Sequence, residues 1–418
     1  MHSNMLIPEY GPLAGVRVLL TGVAFSGPYA ARWMGDMGAE VIKVEIPVSG
    51  DTSRIGPRLS NGSVPKWLSL GRNMNSFEFN MNFTKSPASK EVFVDLIKQC
   101  DIWINSVPNI GKHGPNDALC MEANPKLVIV HISGYGLEES GGVAPYLGKP
   151  CVDPVGQAFS GLAAMQGMPD GPYLTANPLV CDITTSLVAV SGALAAYSNA
   201  LKTGKGQVVD ASMYESAGLL MNYQWCEQLN MKRPYKRSGP LNPLWKPFGY
   251  YKCADGEWVS VGVWGLGIWK KFCDLMGVTA EDFPYMSTCG QENPELVKKM
   301  EDIWYAWLAE HTASEVEKIF MEIGIPVSKI NSAQDAFENP HWQARGDFIT
   351  MTDPTTGEDV IDFATVPRFL GTPANVYKAG PVLGSSTDDV LSKILGYSAE
   401  KINELKEAKA VAASLTTK

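Results

Sequence analysis

The sequence predicts an α/β protein with a doubly wound parallel sheet, and three features of the chain support this fold class. At 418 residues, the chain is long enough for two or three domains with sizeable cores. Short β-branched, apolar segments alternate with helix-sized segments through residues 1–210. Residues 15–45 have the length and pattern of a strand–helix–strand crossover, which needs about 30 residues. Functional residues are expected outside the carboxyl ends of such strands.

The first strand is predicted at Gly15–Thr21, because this segment is β-branched, apolar and bounded by glycines. A helix begins at the Gly27-Pro28 pair and ends near Gly38, and a second strand over Val41–Val44 closes on Glu45. Residues 46–72 are rich in Pro, Gly and Ser and predict a long loop. Later elements of this part of the chain are strands at 75–79, 102–105 and 127–133, a helix capped by Ser86 with Pro87 at its first position, and core helices at 153–165 and 183–199.

The composition changes near residue 230. Four basic residues lie within six positions there (Lys232, Arg233, Lys236 and Arg237), and prolines follow, which predicts a connector between domains. Beyond it, the sequence predicts a hairpin turning at Asp255-Gly256, a helix opening at Ile268, and a capping box formed by Thr312 and Glu315. The predicted division is therefore a large domain at 1–225, a small α+β domain at 226–332, and a return to the large domain at 333–418.

Composition excludes several classes of function. Apolar residues make up 45% and charged residues 19% of the chain, as in ordinary globular proteins. The net charge of −9 argues against a nucleic-acid partner. The eight cysteines are scattered without a C-x-x-C pair, and there is no H-E-x-x-H, so neither a disulfide framework nor a metal site is expected. With no signal-like segment at the start and no uninterrupted apolar run of about 18 residues, we expect a cytoplasmic protein without a membrane partner.

Asp182 is the candidate catalytic residue. It precedes an apolar, small-residue run over residues 187–196 that predicts a buried helix. Ionised carboxylates are rarely placed against a core unless they are paired or used. One interpretation is a helix N-cap, in which Asp182 accepts backbone N–H bonds. The other is a carboxylate nucleophile. The two interpretations are compatible, and this segment alone does not decide between them.

Other catalytic mechanisms have little support in the sequence. The chain has no P-loop and no Ser-His-Asp order, and His131 lies in an apolar strand, where a core histidine is expected. Cys181 is a conceivable thiol nucleophile, but its apolar flank would raise the thiol pKa. The start of the chain also permits an NAD-linked oxidoreductase, against which the absence of G-x-G-x-x-G counts.

The chain resembles the class III CoA-transferases (CaiB/BaiF type) over nearly its whole length. The segments that carry the resemblance occur in order, and they surround Asp182 and its following helix. They are GPLAGVRVL, GPYAARWMGDMGAEVIKVE, NPKLVIVHISGYG, VGQAFSG, TGKGQVVDASMYE and YKCADGEWV. The chain is most similar to the carnitine and bile-acid branches, and YKCADG and MYE favour carnitine.

The resemblance implies a Rossmann-like large domain, a smaller inserted domain, and two chains interlocked as a homodimer. It implies that CoA moves between an acyl-CoA and a free carboxylic acid through aspartyl anhydride and aspartyl-CoA thioester intermediates on Asp182. This is covalent catalysis. CoA and acyl-CoA are then substrates, and no permanently bound cofactor is expected. An aspartate of reference pKa about 3.9 is ionised at neutral pH and needs no catalytic base.

The resemblance also implies a set of binding residues. A glycine loop containing Trp264, Gly265 and Gly267 would cover the substrate and keep water from the anhydride; a plain strand-to-helix turn is the alternative. Matching CoA contacts are Phe25, Ser26, Phe79, Asn80, Asn105, Ser106, Val107, Lys112 and Asp153.

Two positions depart from the family pattern. Ile46 stands where relatives often carry an Arg that stacks on adenine, and Val152 replaces a frequent Tyr. These departures motivate an alternative hypothesis, a non-catalytic acyl-CoA-binding paralogue. The related racemases need a His at the position of Val152, so racemisation is not expected.

The sequence does not identify the acceptor acid. Trp225, Trp245 and Trp264 form a candidate cage for the quaternary ammonium of carnitine, since aromatic faces attract such cations. Scattered core tryptophans are the alternative interpretation. Bile acids and 2-hydroxy acids are the alternative acceptors.

Overall fold

A computed structural model describes residues 2, 4–232 and 235–411, and these fall into two compact units. The first unit takes its described residues from Met1–Leu162, Asn177–Asn222 and Gln343–Lys418, and the second from Ala163–Ala176 and Tyr223–Trp342. The predicted small domain at 226–332 lies within the longer segment of the second unit, whereas the short segment was not anticipated. Arg233, one of the four basic residues of the predicted connector, lies outside the described residues.

The first unit contains a six-stranded sheet in the order β3-β2-β1-β4-β5-β6, with every neighbouring pair parallel. This order confirms the predicted doubly wound α/β class. The order reverses between β1 and β4, and ligands of such sheets bind in the crevice at that point. The strands are β1 (Arg17–Leu20), β2 (Glu40–Glu45), β3 (Met74–Glu78), β4 (Ile102–Asn105), β5 (Val128–Ser133) and β6 (Gln207–Ser212).

Helices cover both faces of this sheet, so β1 to β5 are almost entirely buried, as in other parallel sheets. Their bounds are α1 (Ser26–Asp36), α2 (Pro65–Leu70), α3 (Ala88–Lys98), α4 (Asp117–Ala123), α5 (Asp153–Phe159), α6 (Val180–Thr203) and α7 (Met213–Leu219). Two predictions were wrong. Helix α2 lies within the predicted loop, because Pro65 starts it and Trp67, Leu68 and Leu70 are buried. Helix α3 begins one residue late, with Pro87 at the N-cap.

Helix α6 is long and apolar enough to cross a membrane, and it is the single such helix among the described residues. It lies against β5 and β6 and against α1 and α7. Its buried positions are mostly small, including Ala189, Ala193 and Ala196, which let neighbouring backbones approach closely. Packing on the sheet is therefore sufficient to explain its composition.

The second unit combines a small antiparallel sheet, in the order β7-β8-β9, with helices. The hairpin and the capping box of Thr312 and Glu315 are confirmed. The elements are α8 (Gln224–Met231), β7 (Phe248–Lys252), β8 (Trp258–Gly262), α9 (Leu266–Leu275), α10 (Tyr285–Thr288), α11 (Pro294–Leu308), α12 (Ala313–Ile323), β9 (Val327–Lys329) and α13 (Ala333–Glu338). The boundary of this unit, at Trp342, falls within α14 (Pro340–Arg345).

The C-terminal segment of the first unit contains a hairpin that the sequence did not predict. It pairs β10 (Phe348–Thr352) with β11 (Asp359–Phe363), and the short helices α15 (Thr387–Asp389) and α16 (Ala399–Glu407) follow. The two strands are largely exposed, and polar residues interrupt their apolar pattern. A weakly buried hairpin leaves little periodic signal in a sequence.

Candidate active site

Asp182 is the third residue of α6, and its side chain is partly buried. The N-cap interpretation of Asp182 is wrong. Leu179 occupies the N-cap position in a left-handed conformation (φ 44°), and its side chain makes no capping hydrogen bond. The carboxylate of Asp182 is therefore not used to cap its own helix.

Asp153 satisfies the start of α6 instead. Its Oδ2 accepts hydrogen bonds from the backbone N–H of Cys181 (2.7 Å) and of Asp182 (3.3 Å), and its Oδ1 accepts one from Gln157 Nε2 (2.5 Å). The residue is 3% exposed. Both oxygens bond to groups of the protein, so Asp153 fixes the backbone that carries Asp182, and its contact with CoA stays a prediction.

The hydroxyl of Ser26, the first residue of α1, donates a hydrogen bond to Oδ1 of Asp182. Ser26 was predicted as a CoA contact, and its side chain faces the candidate nucleophile. Ser186, one helical turn after Asp182, lies with its hydroxyl 2.8 Å from the carbonyl oxygens of both Ser26 and Asp182. Helices α1 and α6 are thus joined beside the carboxylate.

Burial raises the pKa of the Asp182 carboxyl above its usual range, and the hydrogen bond from Ser26 opposes this shift. The charge of Asp153 raises the pKa further, whereas Lys66 lowers it. A carboxylate held under these opposing influences is less solvated than a surface aspartate.

The thiols near this carboxylate do not fit the role of a nucleophile. Cys181 is fully buried, its Sγ lies 3.2 Å from the carbonyl oxygen of Met213, and burial raises its thiol pKa to about 12. Burial raises the pKa of Cys151 to about 11, and the charge of Asp182 contributes to that increase. Both side chains stay protonated at neutral pH, and a thiol is a far weaker nucleophile than a thiolate.

A cavity of about 690 Å³ opens beyond the carboxyl ends of β4 and β5. Such a volume is typical of ligand pockets, roughly 300–1,000 Å³. Asn105 and Val107, two predicted CoA contacts, line it together with His131, Tyr135 and Lys149. Lys112 is exposed on a short turn whose other residues, Ile110 and Gly111, also line the cavity.

Asn105 is held in place by a chain of hydrogen bonds. Its Oδ1 accepts bonds from Thr21 Oγ1 (2.9 Å) and from the backbone N–H of Val107 (3.1 Å). Its Nδ2 lies 3.3 Å from Nδ1 of His131, whose Nε2 lies 2.9 Å from Asp117 Oδ1. His131 is a satisfied, buried histidine, as the sequence predicts, and it also forms part of the cavity wall.

The remaining predicted CoA contacts do not line this cavity. The Ser106 hydroxyl accepts a bond from the N–H of Val23 and lies under the loop between β1 and α1. Phe79 is 1% exposed in the core, and Asn80 bonds to the C-terminal segment through Lys409 and Ala410. Phe25 stacks on Tyr29, with ring centroids 5.3 Å apart.

The predicted glycine loop belongs to the second unit. Trp264 is 61% exposed, and the Gly265 N–H donates to the hydroxyl of Tyr285 (2.8 Å). Helix α9 begins at Leu266, two residues earlier than predicted, so Gly267 lies in its first turn. Trp245 has its ring 6.4 Å from that of Trp264 and 5.7 Å from that of Tyr285. Tyr285 joins this group without having been predicted, and Trp225 lies on α8 with 42% of its surface exposed.

Comparison with known proteins decides the family, since residues 13–387 match CoA-transferase family III. The chain belongs to the class III CoA-transferases. This transferase is 32% identical to the bile acid CoA-transferase BaiK of Clostridium scindens over 95% of the chain and 89% of the relative. It is 28% identical to the succinyl-CoA–L-malate CoA-transferase beta subunit of Chloroflexus aurantiacus, over 96% of the chain and 98% of the relative.

Solved structures share the fold of this transferase. A CaiB/BaiF family protein from Brucella suis superposes with a TM-score of 0.76 at 24% identity, covering 92% of this chain and all of that one. Rv3272 from Mycobacterium tuberculosis gives a TM-score of 0.77 at 22% identity, over 91% and 99%. The mixed α/β architecture of the chain is that of these proteins.

Proposed function

We propose that this transferase moves CoA from an acyl-CoA to a free carboxylic acid, with Asp182 as the covalent nucleophile. The observation that carries the proposal is a partly buried carboxylate in the first turn of α6 that Asp153 frees from capping. The hydrogen bond to Oδ1 comes from Ser26, so Oδ2 is the oxygen that attacks.

The reaction begins when Asp182 Oδ2 adds to the thioester carbonyl carbon of the donor. The C–S bond breaks, CoA leaves as a thiolate, and a mixed anhydride joins the acyl group to Asp182. The thiolate then attacks Cγ of Asp182 and expels the donor's carboxylate, which leaves an aspartyl-CoA thioester. The acceptor carboxylate attacks the same Cγ and releases the thiolate, which leaves a second mixed anhydride. The thiolate attacks the acceptor's carbonyl carbon, the C–O bond to Asp182 breaks, and the acceptor leaves as its CoA thioester with Asp182 regenerated.

We place CoA in the cavity beyond β4 and β5. Support comes from its position at the carboxyl edge of the sheet and from the polar groups on its wall, with Asn105 and Val107 held by the hydrogen bonds described above. Lys149 supplies a positive charge for a phosphate group.

Two acceptor classes have separate support. The grouping of Trp245, Trp264 and Tyr285 supports a quaternary ammonium acid such as carnitine, since each cation–π contact adds roughly 0.5–2 kcal/mol. The activities of the two relatives, a bile acid CoA-transferase and a succinyl-CoA–L-malate CoA-transferase subunit, support a bile acid or a 2-hydroxy acid such as malate. Offering these acids against acetyl-CoA and crotonyl-CoA donors separates them. Turnover of bile or 2-hydroxy acids without turnover of carnitine would remove the first class.

We further propose the interlocked homodimer that the family resemblance implies. Helix α8 presents exposed apolar side chains that a second copy would cover, with Leu229 71% and Met231 54% exposed. Interlocked chains do not separate on dilution. A compact monomer at nanomolar concentration in mass photometry would contradict this arrangement.

The test of the nucleophile is Asp182→Asn, with Asp302→Asn on the exposed face of helix α11 as the matched control. Because Asp182 caps nothing, we expect the variant to keep its unfolding temperature and lose CoA exchange. The control should keep both properties. In the wild type, hydroxylamine should convert acylated Asp182 to a hydroxamate, and borohydride should reduce its thioester to an alcohol, both located by peptide mass. Near-normal exchange by Asp182→Asn would refute the proposal.

A further inference from the structure

Ser26 is placed as a fixed hydrogen-bond donor beside the candidate nucleophile. It is 7% exposed at the start of α1, and its hydroxyl donates to Oδ1 of Asp182. A fixed donor at a reacting group differs from a solvent molecule, because it needs no reorientation during the reaction.

The backbone of Ser26 is held from two sides. On one side, Ser186 is fully buried and its hydroxyl lies 2.8 Å from the Ser26 carbonyl oxygen. On the other side, the next residue, Gly27, packs so closely on Ser106 that a Cβ at residue 27 would lie 2.7 Å from its Oγ. These contacts fix the backbone of Ser26, and with it the Cβ from which the hydroxyl reaches Asp182.

Resting on the proposed function, we propose that Ser26 is a second catalytic residue, whose hydroxyl stabilises the negative charge that develops on Asp182 Oδ1. When the CoA thiolate attacks Cγ of the aspartyl anhydride, the C=O electron pair moves onto Oδ1. The tetrahedral intermediate then collapses, the carboxylate of the donor acid leaves, and the thioester forms. The acceptor carboxylate later attacks the same Cγ, and Oδ1 again carries the charge until CoA leaves as a thiolate.

The effect of Ser26 is specific to the steps at Cγ. In the first step, Asp182 attacks a carbonyl carbon of the substrate, and the new oxyanion lies on the substrate instead. In that step the Ser26 hydrogen bond stabilises the carboxylate of Asp182 before it attacks, and it does not stabilise the transition state to a greater extent. Loss of the donor should therefore slow the conversion of anhydride to thioester more than the formation of the anhydride.

The pH dependence offers an independent readout. Besides Ser26, the charged groups that act on Asp182 are Asp153 and Lys66, and the charge of Asp182 in turn raises the thiol pKa of Cys151 and of Cys181. The Ser26 hydrogen bond favours the ionised form of Asp182, so its removal raises the pKa of this carboxyl further. Because the nucleophile acts ionised, the acid limb of the kcat/KM profile should move to higher pH.

The experiment compares Ser26→Ala with Ser26→Thr, which keeps a hydroxyl, and with Ser191→Ala as a control. Ser191 lies on the same helix as Asp182, and its exposed hydroxyl bonds to the carbonyl oxygen of Leu187. We expect Ser26→Ala to lose about 10²–10³-fold in kcat, as on removal of one oxyanion donor. We expect Ser26→Thr to recover part of that loss and Ser191→Ala to remain unchanged. Rapid mixing with an acyl-CoA alone, followed by quenching, should show free CoA persisting in Ser26→Ala.

The outcomes separate this inference from the proposed function. If Asp182→Asn retains exchange, the nucleophile itself is wrong. If Asp182→Asn is inactive while Ser26→Ala keeps the wild-type kcat, acid limb and free-CoA time course, the role of Ser26 alone is refuted. A stability change in Ser26→Ala without those three kinetic changes would reduce the residue to a structural contact.

Discussion

Substitution of Asp153 separates the structural role of this carboxylate from its electrostatic one. Asp153→Ala removes the acceptor for two backbone N–H groups at the start of α6 and for the amide of Gln157. Loss of a cap costs about 0.5–2 kcal/mol. A buried donor left without a partner costs about 1–3 kcal/mol. We therefore expect Asp153→Ala to lose about 2–5 kcal/mol of stability.

Asp153→Asn is the matched variant, because its amide oxygen can still accept the two backbone bonds while the negative charge is gone. Its NH₂ group replaces the oxygen that accepts from Gln157, so that bond forms again only when the Gln157 amide turns over. We expect a loss of stability smaller than that of Asp153→Ala, since Asn is as good a cap as Asp. Both variants remove a charge that raises the pKa of Asp182. The acid limb of kcat/KM should therefore move to lower pH in each, opposite to the shift expected for Ser26→Ala.

Denaturant unfolding and pH–rate profiles measure the two effects independently. A domain of 150–250 residues loses roughly 2–4 °C in Tm for each kcal/mol, and a larger unit such as this one loses less, so Asp153→Ala should also melt a few degrees lower. Equal stability of Asp153→Ala and wild type would refute the capping role. An acid limb that does not move in Asp153→Asn would refute the electrostatic one.

Two further predictions concern the cavity and the second unit. Lys149→Ala should raise KM for acyl-CoA by up to about tenfold, equivalent to about 1.4 kcal/mol, with little change in kcat. The control is Lys126→Ala, because Lys126 precedes the amino end of β5 and lies at the opposite edge of the sheet. An unchanged KM for Lys149→Ala would place the phosphates elsewhere. Gly265 has φ 95° with open space around it, so Gly265→Ala should cost about 1–3 kcal/mol from backbone strain alone. Gly267→Ala, in the first turn of α9, should be neutral or stabilising in the same melts, and equal effects of the two substitutions would show that strain is not the cause.

The sequence predicts the sheet well because each of its first five strands is buried on both faces and because helix-sized segments separate one strand from the next. The pattern fails where burial is slight, as in the hairpin of β10 and β11, or where a short helix lies in a Pro-rich stretch, as in α2.

The arrangement around Asp182 was only partly accessible from sequence. Ser26 is 156 positions from Asp182, and the Asp153 oxygen that caps α6 comes from 28 positions upstream of Cys181. Neither distance leaves a local pattern. One local signal was available: Ser186 is four residues after Asp182, and residues at this spacing share a face of a helix.

The thiols of Cys151 and Cys181 bear on the fate of an activated acyl group at Asp182. In the proposed mechanism an anhydride forms within the influence of Cys151 and close in sequence to Cys181, and either thiolate would capture the acyl group as a dead-end thioester. With thiol pKa values of about 11 and about 12, less than about one molecule in a thousand carries either anion at pH 7. The thiolate of the departing CoA therefore meets almost no competitor from within the protein. The same protonation should leave Cys151 and Cys181 resistant to iodoacetamide at neutral pH, in contrast to the exposed Cys226.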